Sequence, residues 1–298
     1  MKLKFWGVRG SRPTHKGQLL GFGGNSTSLE FQFENEDFYL FLDGGSGLAH
    51  RGRQLGVTPA RKKIYFLITH THWDHILGFP FFAPFGNPNI DFTFFSSTTS
   101  KATFSDLFLG LQRSNHLPIP PYLLRAKIHF VPVKPDHRFK IENKVTVDTH
   151  QINHQGITLA YRIAFENQSV AVVTDNAPIE NGNYLGEGMK EKAQANPRQF
   201  EKDFNDSLVR FLSQCHTVVF DTHFTEKNLK PDWGHSTPER ALVYCKQAGV
   251  KRLVLFHHAP EDTDQDVEAK VKSIRDEARK SGVQVVAARE GEEWDLCG

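Results

Sequence analysis

Four potential metal ligands, His70, His72, Asp74 and His75, fall within six residues of the segment IYFLITHTHWDHILG (64–78). They follow an apolar strand pattern and precede a helix-like apolar run, so they converge only where the chain turns. Imidazoles and a carboxylate suit zinc, iron or manganese, whereas calcium prefers an all-oxygen shell. A cluster of this size can contribute to two metal shells but cannot close both. Strand ends in the second half of the chain offer the missing donors: His154 in QINHQG, Asp175 in VAVVTDN and His257 in LVLFHHAP. Singly, each has the character of a capping or solvated residue. As an ordered set after HxHxDH they point to a dinuclear metal site.

Other polar residues stand near the same strand ends. Asp43 in LDGGSG is either a turn cap before two glycines or a carboxylate that orients a ligand histidine. His235 lies in WGHST, just before a helix start. Arg9 in GVRGS could face an anionic substrate or hold its own turn, and His223 in VVFDTHFT is a possible substrate-side group. His258, beside His257, is the alternative last ligand. The segment 105–127 reads as an insert at a pocket rim, with His116 and Tyr122 in it and Pro118, Pro120 and Pro121 stiffening it. The basic run Arg51, Arg53, Arg61, Lys62 and Lys63 reads as a solvated face.

The elements that must position these groups begin with strands. Candidates lie at 2–8, 28–33, 37–42, 64–68, 92–95 and 127–133, then at 144–152, 157–165, 168–174, 217–221, 252–256 and 283–287. Helices alternate with the later strands. Val267, Val271, Ile274 and Ala278 form one stripe of a helix over 264–280, stopped by Gly282. A second helix covers 237–248, with Pro238 in its first turn and capping-box spacing from Ser236 to Glu239. Strand groups with intervening helices predict two sheets packed face to face with helices outside, in one domain spanning 1–298.

Composition narrows the function classes. Among 298 residues, 36 Lys+Arg against 34 Asp+Glu leave a net charge of +2, without the basic excess expected of a nucleic-acid binder. The apolar content of 39% is too high for a disordered chain. No apolar stretch reaches membrane-spanning length, and no secretory leader is expected. Cys215, Cys245 and Cys297 are odd in number and far apart, which fits free thiols in a reducing cytoplasm. The 15 histidines suggest a metal site, and the 25 phenylalanines suggest an aromatic core.

The ordered motifs GVRGS, GGNSTS, LDGGSG, HTHWDH, NHQG, TDN, GHST and LFHH span nearly the whole chain, and with them the sequence resembles the metallo-β-lactamase superfamily. GHST is similar to that of its phosphodiesterase branch, which includes ribonuclease Z and bacterial cyclic-phosphate phosphodiesterases. The resemblance implies an α/β (α+β) fold, a four-layer αββα sandwich. It implies one metal on His70, His72 and His154, and a second on Asp74, His75 and His257. Asp175 would bridge them and Asp43 would orient a ligand. The last ligand closes a strand, which favours His257 over His258.

That resemblance implies a phosphoric diester hydrolase with two divalent metals, Zn2+ foremost and Mn2+ or Fe as alternatives. A metal-activated hydroxide would attack phosphorus, with Asp74 in the catalytic centre and His235 as general acid. The expected substrate is a small phosphodiester, most readily a cyclic nucleotide, and a homodimer is the implied assembly. The alternatives are a tRNA 3′-end endoribonuclease and a non-phosphate ester or lactone hydrolase. The tRNA enzymes carry a long basic, glycine-rich arm that has no counterpart here. A non-catalytic scaffold would be expected to have lost ligands, and all seven positions hold suitable residues.

Overall fold

Short apolar runs such as FYLFL, KIYFLI and TVVFD form the strands that set the architecture. The computed structural model describes residues 1–15, 21–97, 104–113, 125–180, 182–213 and 215–296. They fall into two units. Unit 1 comprises Met1–His15, Gly23–Lys134 and Arg289–Asp295; unit 2 comprises Lys16–Phe22, Pro135–Ala288 and Leu296–Gly298.

Unit 1 is built on β1 (Lys2–Gly7), β2 (Ser28–Gln32), β3 (Phe38–Leu42), β4 (Lys63–Ile68), β5 (Asp91–Ser97) and β6 (Lys127–Val133). They lie in chain order in one sheet, and a short strand at Glu293–Asp295 pairs with β1. The sheet is antiparallel through β3 and parallel from β3 to β6. Helices α1 (Ser46–Leu55), α2 (Trp73–Ile76) and α3 (Phe104–Arg113) follow β3, β4 and β5. Two 3-10 turns, Phe79–Phe81 and Ala83–Gly86, carry the apolar run after α2.

The core beside these helices is aromatic. Nine of its fifteen buried members are phenylalanine, among them Phe66, Phe79 and Phe94, so most of the volume is filled by rings. Phe66 stacks on Phe94 at 5.0 Å and takes the edge of Phe79 at 5.0 Å. Rings from β3, β4 and β5, from the turns after α2 and from α3 meet in this core. The phenylalanine excess is therefore concentrated in unit 1. The segment 105–127 begins as part of α3, whose Phe104 and Phe108 are buried in this core. His116, Pro118, Pro120, Pro121 and Tyr122 lie outside the described residues.

Unit 2 holds β7 (Arg138–Ile141), β8 (Val145–Ile152), β9 (Thr158–Phe165), β10 (Gln168–Val173), β11 (Thr217–Asp221), β12 (Arg252–Phe256) and β13 (Gln284–Ala287). They too lie in chain order, antiparallel from β7 to β10 and parallel from β10 to β13. Helices α4 (Met189–Ala193), α5 (Pro197–Leu212), α6 (Pro238–Ala248) and α7 (Asp264–Lys280) complete the unit. Its helix-side core is aliphatic, with two phenylalanines among twenty-two buried members, as expected where regular helices supply the cover.

The 264–280 helix has the predicted bounds, with Thr263 and Asp266 forming a reciprocal capping box. Thr237, not Ser236, caps α6 by accepting from Arg240 N at 3.3 Å, one residue later than the Ser236–Glu239 spacing suggests. The basic run is also less solvated than its composition implies. Arg51 pairs with buried Glu30 at 2.8 Å, and Arg61 donates to the Phe38 carbonyl at 2.8 Å. No helix among the described residues is long and apolar enough to cross a membrane.

Each sheet switches from antiparallel to parallel. Asp43, the HTHWDH turn, Asp175, Asp221 and His257 sit at or just beyond the carboxyl ends of parallel strands, where open α/β sheets bind ligands, whereas His154 follows the antiparallel β8.

Candidate metal centre

Unit 1 contributes a cluster at the ends of β3 and β4. Asp43 is fully buried and takes φ 56°, in the left-handed region that Asp tolerates better than most residues. Its Oδ1 accepts from Thr69 N at 2.8 Å and its Oδ2 from the Thr69 hydroxyl at 2.8 Å. His75 Nδ1 donates to Asp43 Oδ2 at 2.7 Å. Burial raises the Asp43 carboxyl above its ordinary pKa, and contact with His75 pulls it back only in part. His70 lies against His72 at 4.5 Å and against His75 at 4.2 Å between ring centroids.

Two close approaches hold this cluster together. A Cβ at Gly45 would meet the Asp74 carbonyl at 2.2 Å, so only glycine lets the LDGGSG turn pack against the HTHWDH turn. Ser11 N, from the GVRGS turn, donates to Asp74 Oδ2 at 2.8 Å. Arg9 itself is fully buried and its Nε donates to the Gly23 carbonyl at 2.8 Å, which ties the GVRGS turn to the GGNSTS segment.

Unit 2 contributes a second cluster, drawn from β8, β10, β11 and β12 and from the loop before α6. Asp175 and His257 follow their strands with φ 45° and 59°. Left-handed non-glycine residues cost backbone energy and concentrate at functional sites. Asp175 lies among three imidazoles: His257 Nε2 at 3.4 Å, His235 Nδ1 at 3.7 Å and His154 Nε2 at 3.9 Å. His154 Nδ1 donates to the Gly234 carbonyl at 3.0 Å. Gly234 has φ 85°, and a Cβ there would come within 1.9 Å of His154 Nδ1, so the GHST turn presses directly on that ring.

Asp221, at the end of β11, organises the rest. Its Oδ2 accepts from Asn176 N and Ser236 N at 3.1 Å each, and its Oδ1 accepts from His223 N at 2.9 Å. His235 Nδ1 donates to Oδ2 at 3.2 Å. Burial opposes the Asp221 charge, but His235 and His257 outweigh it and hold the carboxyl below its usual range. His223 stacks on His235 at 4.5 Å. Burial first, then the charges of His235 and His257, push His223 down to about 3, so it is neutral at ordinary pH. One ligand atom from each of His223, His235 and His257 falls within 4.8 Å of the others, a set able to hold a cation.

Unit 2 thus brings together His154, Asp175, His235 and His257, while neighbouring His258 goes elsewhere. His258 Nε2 donates to the Ala288 carbonyl at 3.0 Å and the ring packs edge-on against Phe22. Residues 46–194, half of the chain, match the family model described as a beta-lactamase superfamily domain. The chain belongs to the metallo-β-lactamase superfamily. It is a metal-dependent hydrolase with that superfamily's fold.

Ribonuclease Z from Thermoplasma volcanium is 22% identical to it, over 99% of this chain and 97% of the relative. The solved metallo-β-lactamase-fold protein YhfI from Bacillus subtilis superposes with a TM-score of 0.67 and 16% identity, covering 98% of both chains. A solved diphosphatase from the PhnP family reaches 0.63 with 15% identity, covering 99% of this chain and 98% of its own.

The His/Asp clusters suit the divalent metal ions of this superfamily. The donor states bear this out: Asp43 fixes the Nδ1 proton of His75, and the Gly234 carbonyl fixes that of His154. Each ring therefore presents Nε2 as its lone-pair nitrogen, the state in which imidazole binds a cation. Reading the sequence residue by residue missed Thr69 and Asp221. Asp221 had a usable signal, since β3, β10 and β11 all lead directly or within two residues into an aspartate.

Proposed function

We propose that this protein is a dinuclear-metal phosphodiesterase, in which the HxHxDH cluster of unit 1 and His154, Asp175 and His257 of unit 2 serve one catalytic domain. His70, His72 and His154 would hold one cation, and Asp74, His75 and His257 the other, with Asp175 shared. Zinc fits this nitrogen-rich set best. When bound, two divalent cations supply a hydroxide near neutral pH and offset charge on the phosphoryl oxygens.

The observation that carries the reading is the Asp221–His235 pair. A phosphodiester with an alkoxide leaving group needs a proton donor, and this histidine stands in the GHST segment that resembles the phosphodiesterase branch. Asp221 holds His235 by Nδ1, which leaves Nε2 to carry a proton outward to the leaving oxygen. His223, neutral and stacked on His235, packs that ring from the side and adds no competing positive charge. Asp43 and the Gly234 carbonyl keep His75 and His154 from rotating, so the ligand nitrogens stay aimed.

The substrate we favour is a small phosphodiester, foremost a cyclic nucleotide, and the compartment is the cytoplasm, supported by the buried thiols of Cys215 and Cys245. A second reading, tRNA 3′-end cleavage, is favoured by the near full-length similarity to ribonuclease Z. The test is metal analysis followed by assay on 3′,5′- and 2′,3′-cyclic nucleotides, precursor tRNA and a chromogenic ester. Turnover of cyclic nucleotides with near two metals per chain is expected. Ester turnover without phosphodiester turnover would overturn the proposal.

A further inference from the structure

Of the four tryptophans, Trp73 and Trp233 are strongly exposed, at 63% and 57%. Both adjoin site residues in the chain. Trp73 stands between His72 and Asp74 in unit 1, and Trp233 lies two residues before His235 in unit 2. A large aromatic left in water beside a catalytic motif is a candidate contact for substrate.

Trp233 is exposed yet fixed. It ends the 3-10 turn Pro231–Trp233, and its N–H donates to the Lys230 carbonyl at 3.0 Å. The next residue, Gly234, is pinned by His154, so the turn cannot drift from the cluster. Phe224 packs between the indole and the general-acid candidate, its ring centroid 6.3 Å from Trp233 and 6.0 Å from His235. Phe224 N in turn donates to the Ser236 carbonyl at 3.0 Å. The Lys230 ammonium sits 4.0 Å from the Trp233 ring centroid, covering one face with positive charge. At 57% exposed, the indole keeps surface that a ligand can reach.

We infer that Trp233, with Lys230 against its ring, is a nucleobase-stacking subsite, so that the scissile phosphodiester belongs to a nucleotide and not to a base-free sugar or glycerol phosphate. The inference rests on the phosphodiesterase reading and names the substrate class within it. Every base has a π-face that an indole can take, and the adjacent ammonium complements a phosphate-bearing ligand. The alternative occupant of an exposed aromatic, a second copy of this chain, is resolved by the same experiment.

The test compares 2′,3′-cyclic AMP with ribose 2,3-cyclic phosphate, which keeps the phosphodiester and lacks the base. Trp233→Ala should raise KM for the nucleotide about 5- to 100-fold, the loss of one base–aromatic stack. It should change KM for the ribose compound less than about twofold on the same principle, and Trp233→Phe should restore most of the difference. Equal effects on both compounds, or no effect, would overturn the subsite, as would a matching loss accompanied by dissociation of a dimer. If the wild-type protein hydrolyses neither compound and no 3′,5′-cyclic nucleotide, the phosphodiesterase reading fails on its own. The subsite is then read by calorimetry: AMP should bind more tightly than ribose 5-phosphate to wild type and no more tightly to Trp233→Ala. Indifference of wild type to the base would overturn it.

Discussion

The two polar clusters solve the same problem at different sequence ranges. In unit 1, the ligand candidates occupy one turn, residues 70–75, and one distant residue, Asp43, reaches in to hold His75 and Thr69. In unit 2, His154, Asp175, His235 and His257 come from separate elements, and Asp221 ties two connecting loops at once, the one after β10 through Asn176 and the one before α6 through His223 and Ser236. A local motif needs one clamp, whereas a dispersed set needs a hub. The buried aspartate at a strand end is common to both, and the hub carries more of the structure than the clamp does.

The largest expected effect sharpens this contrast. Asp221→Ala strands buried donors on two loops, His235 among them, and should destabilise the fold by about 3–5 kcal/mol in urea unfolding. Asp43→Ala should cost less, because its partners sit on one turn. An equal or larger loss at Asp43 would break the hub-and-clamp distinction. Phe66→Ala, in the aromatic core behind the unit 1 cluster, should cost about 3–5 kcal/mol by leaving a cavity among stacked rings. Because its neighbours are rings and not ligands, metal content should stay unchanged.

Next in size, Asp43→Asn keeps the shape but removes the charge behind His75, and should weaken metal affinity about 10- to 100-fold by competition titration. The smallest effect comes from a control that is as local as HxHxDH but carries no chemistry, the cap of α7. Thr263→Ala should cost about 1 kcal/mol and leave metal and turnover alone. Its partner Asp266 is held below the usual carboxylate range by bonds from the Thr263 side chain and backbone. A depressed pKa stabilises the fold above the unfolded value, near about 3.9, and that gain is lost as pH falls through the folded value. The stability gap between wild type and Asp266→Asn should therefore be present at neutral pH and close in acid.

The same contrast explains what could be read in advance. HxHxDH is legible because its candidate ligands lie in one window, and the strand leading to them is a near-continuous apolar run. The unit 2 candidates stand out only as an ordered set, since each alone matches an ordinary strand-end residue. Asp221 escaped notice because its role lies in backbone N–H groups from loops on either side, which no side-chain pattern encodes. Helix α5 also escaped: its buried positions, Leu208, Phe211 and Leu212, crowd one end and give no long stripe. β7 and the Glu293–Asp295 strand are short edge pieces whose pairing is set by neighbours, not by composition. His257 and His258 are adjacent in sequence, and the structure gives them different partners, Asp175 for the first and the Ala288 carbonyl for the second.

The central claim is that His235, held by Asp221, delivers the proton to a leaving alkoxide. The most direct measurement is the turnover of His235→Ala on two phosphodiesters, a cyclic nucleotide and bis(p-nitrophenyl) phosphate, with metal content checked on the same preparation. A p-nitrophenolate leaves without help, so its turnover should change little, while the cyclic nucleotide should lose on the order of 100- to 10,000-fold with both metals retained. An equal loss on both substrates, or a loss of metal, would contradict the assignment.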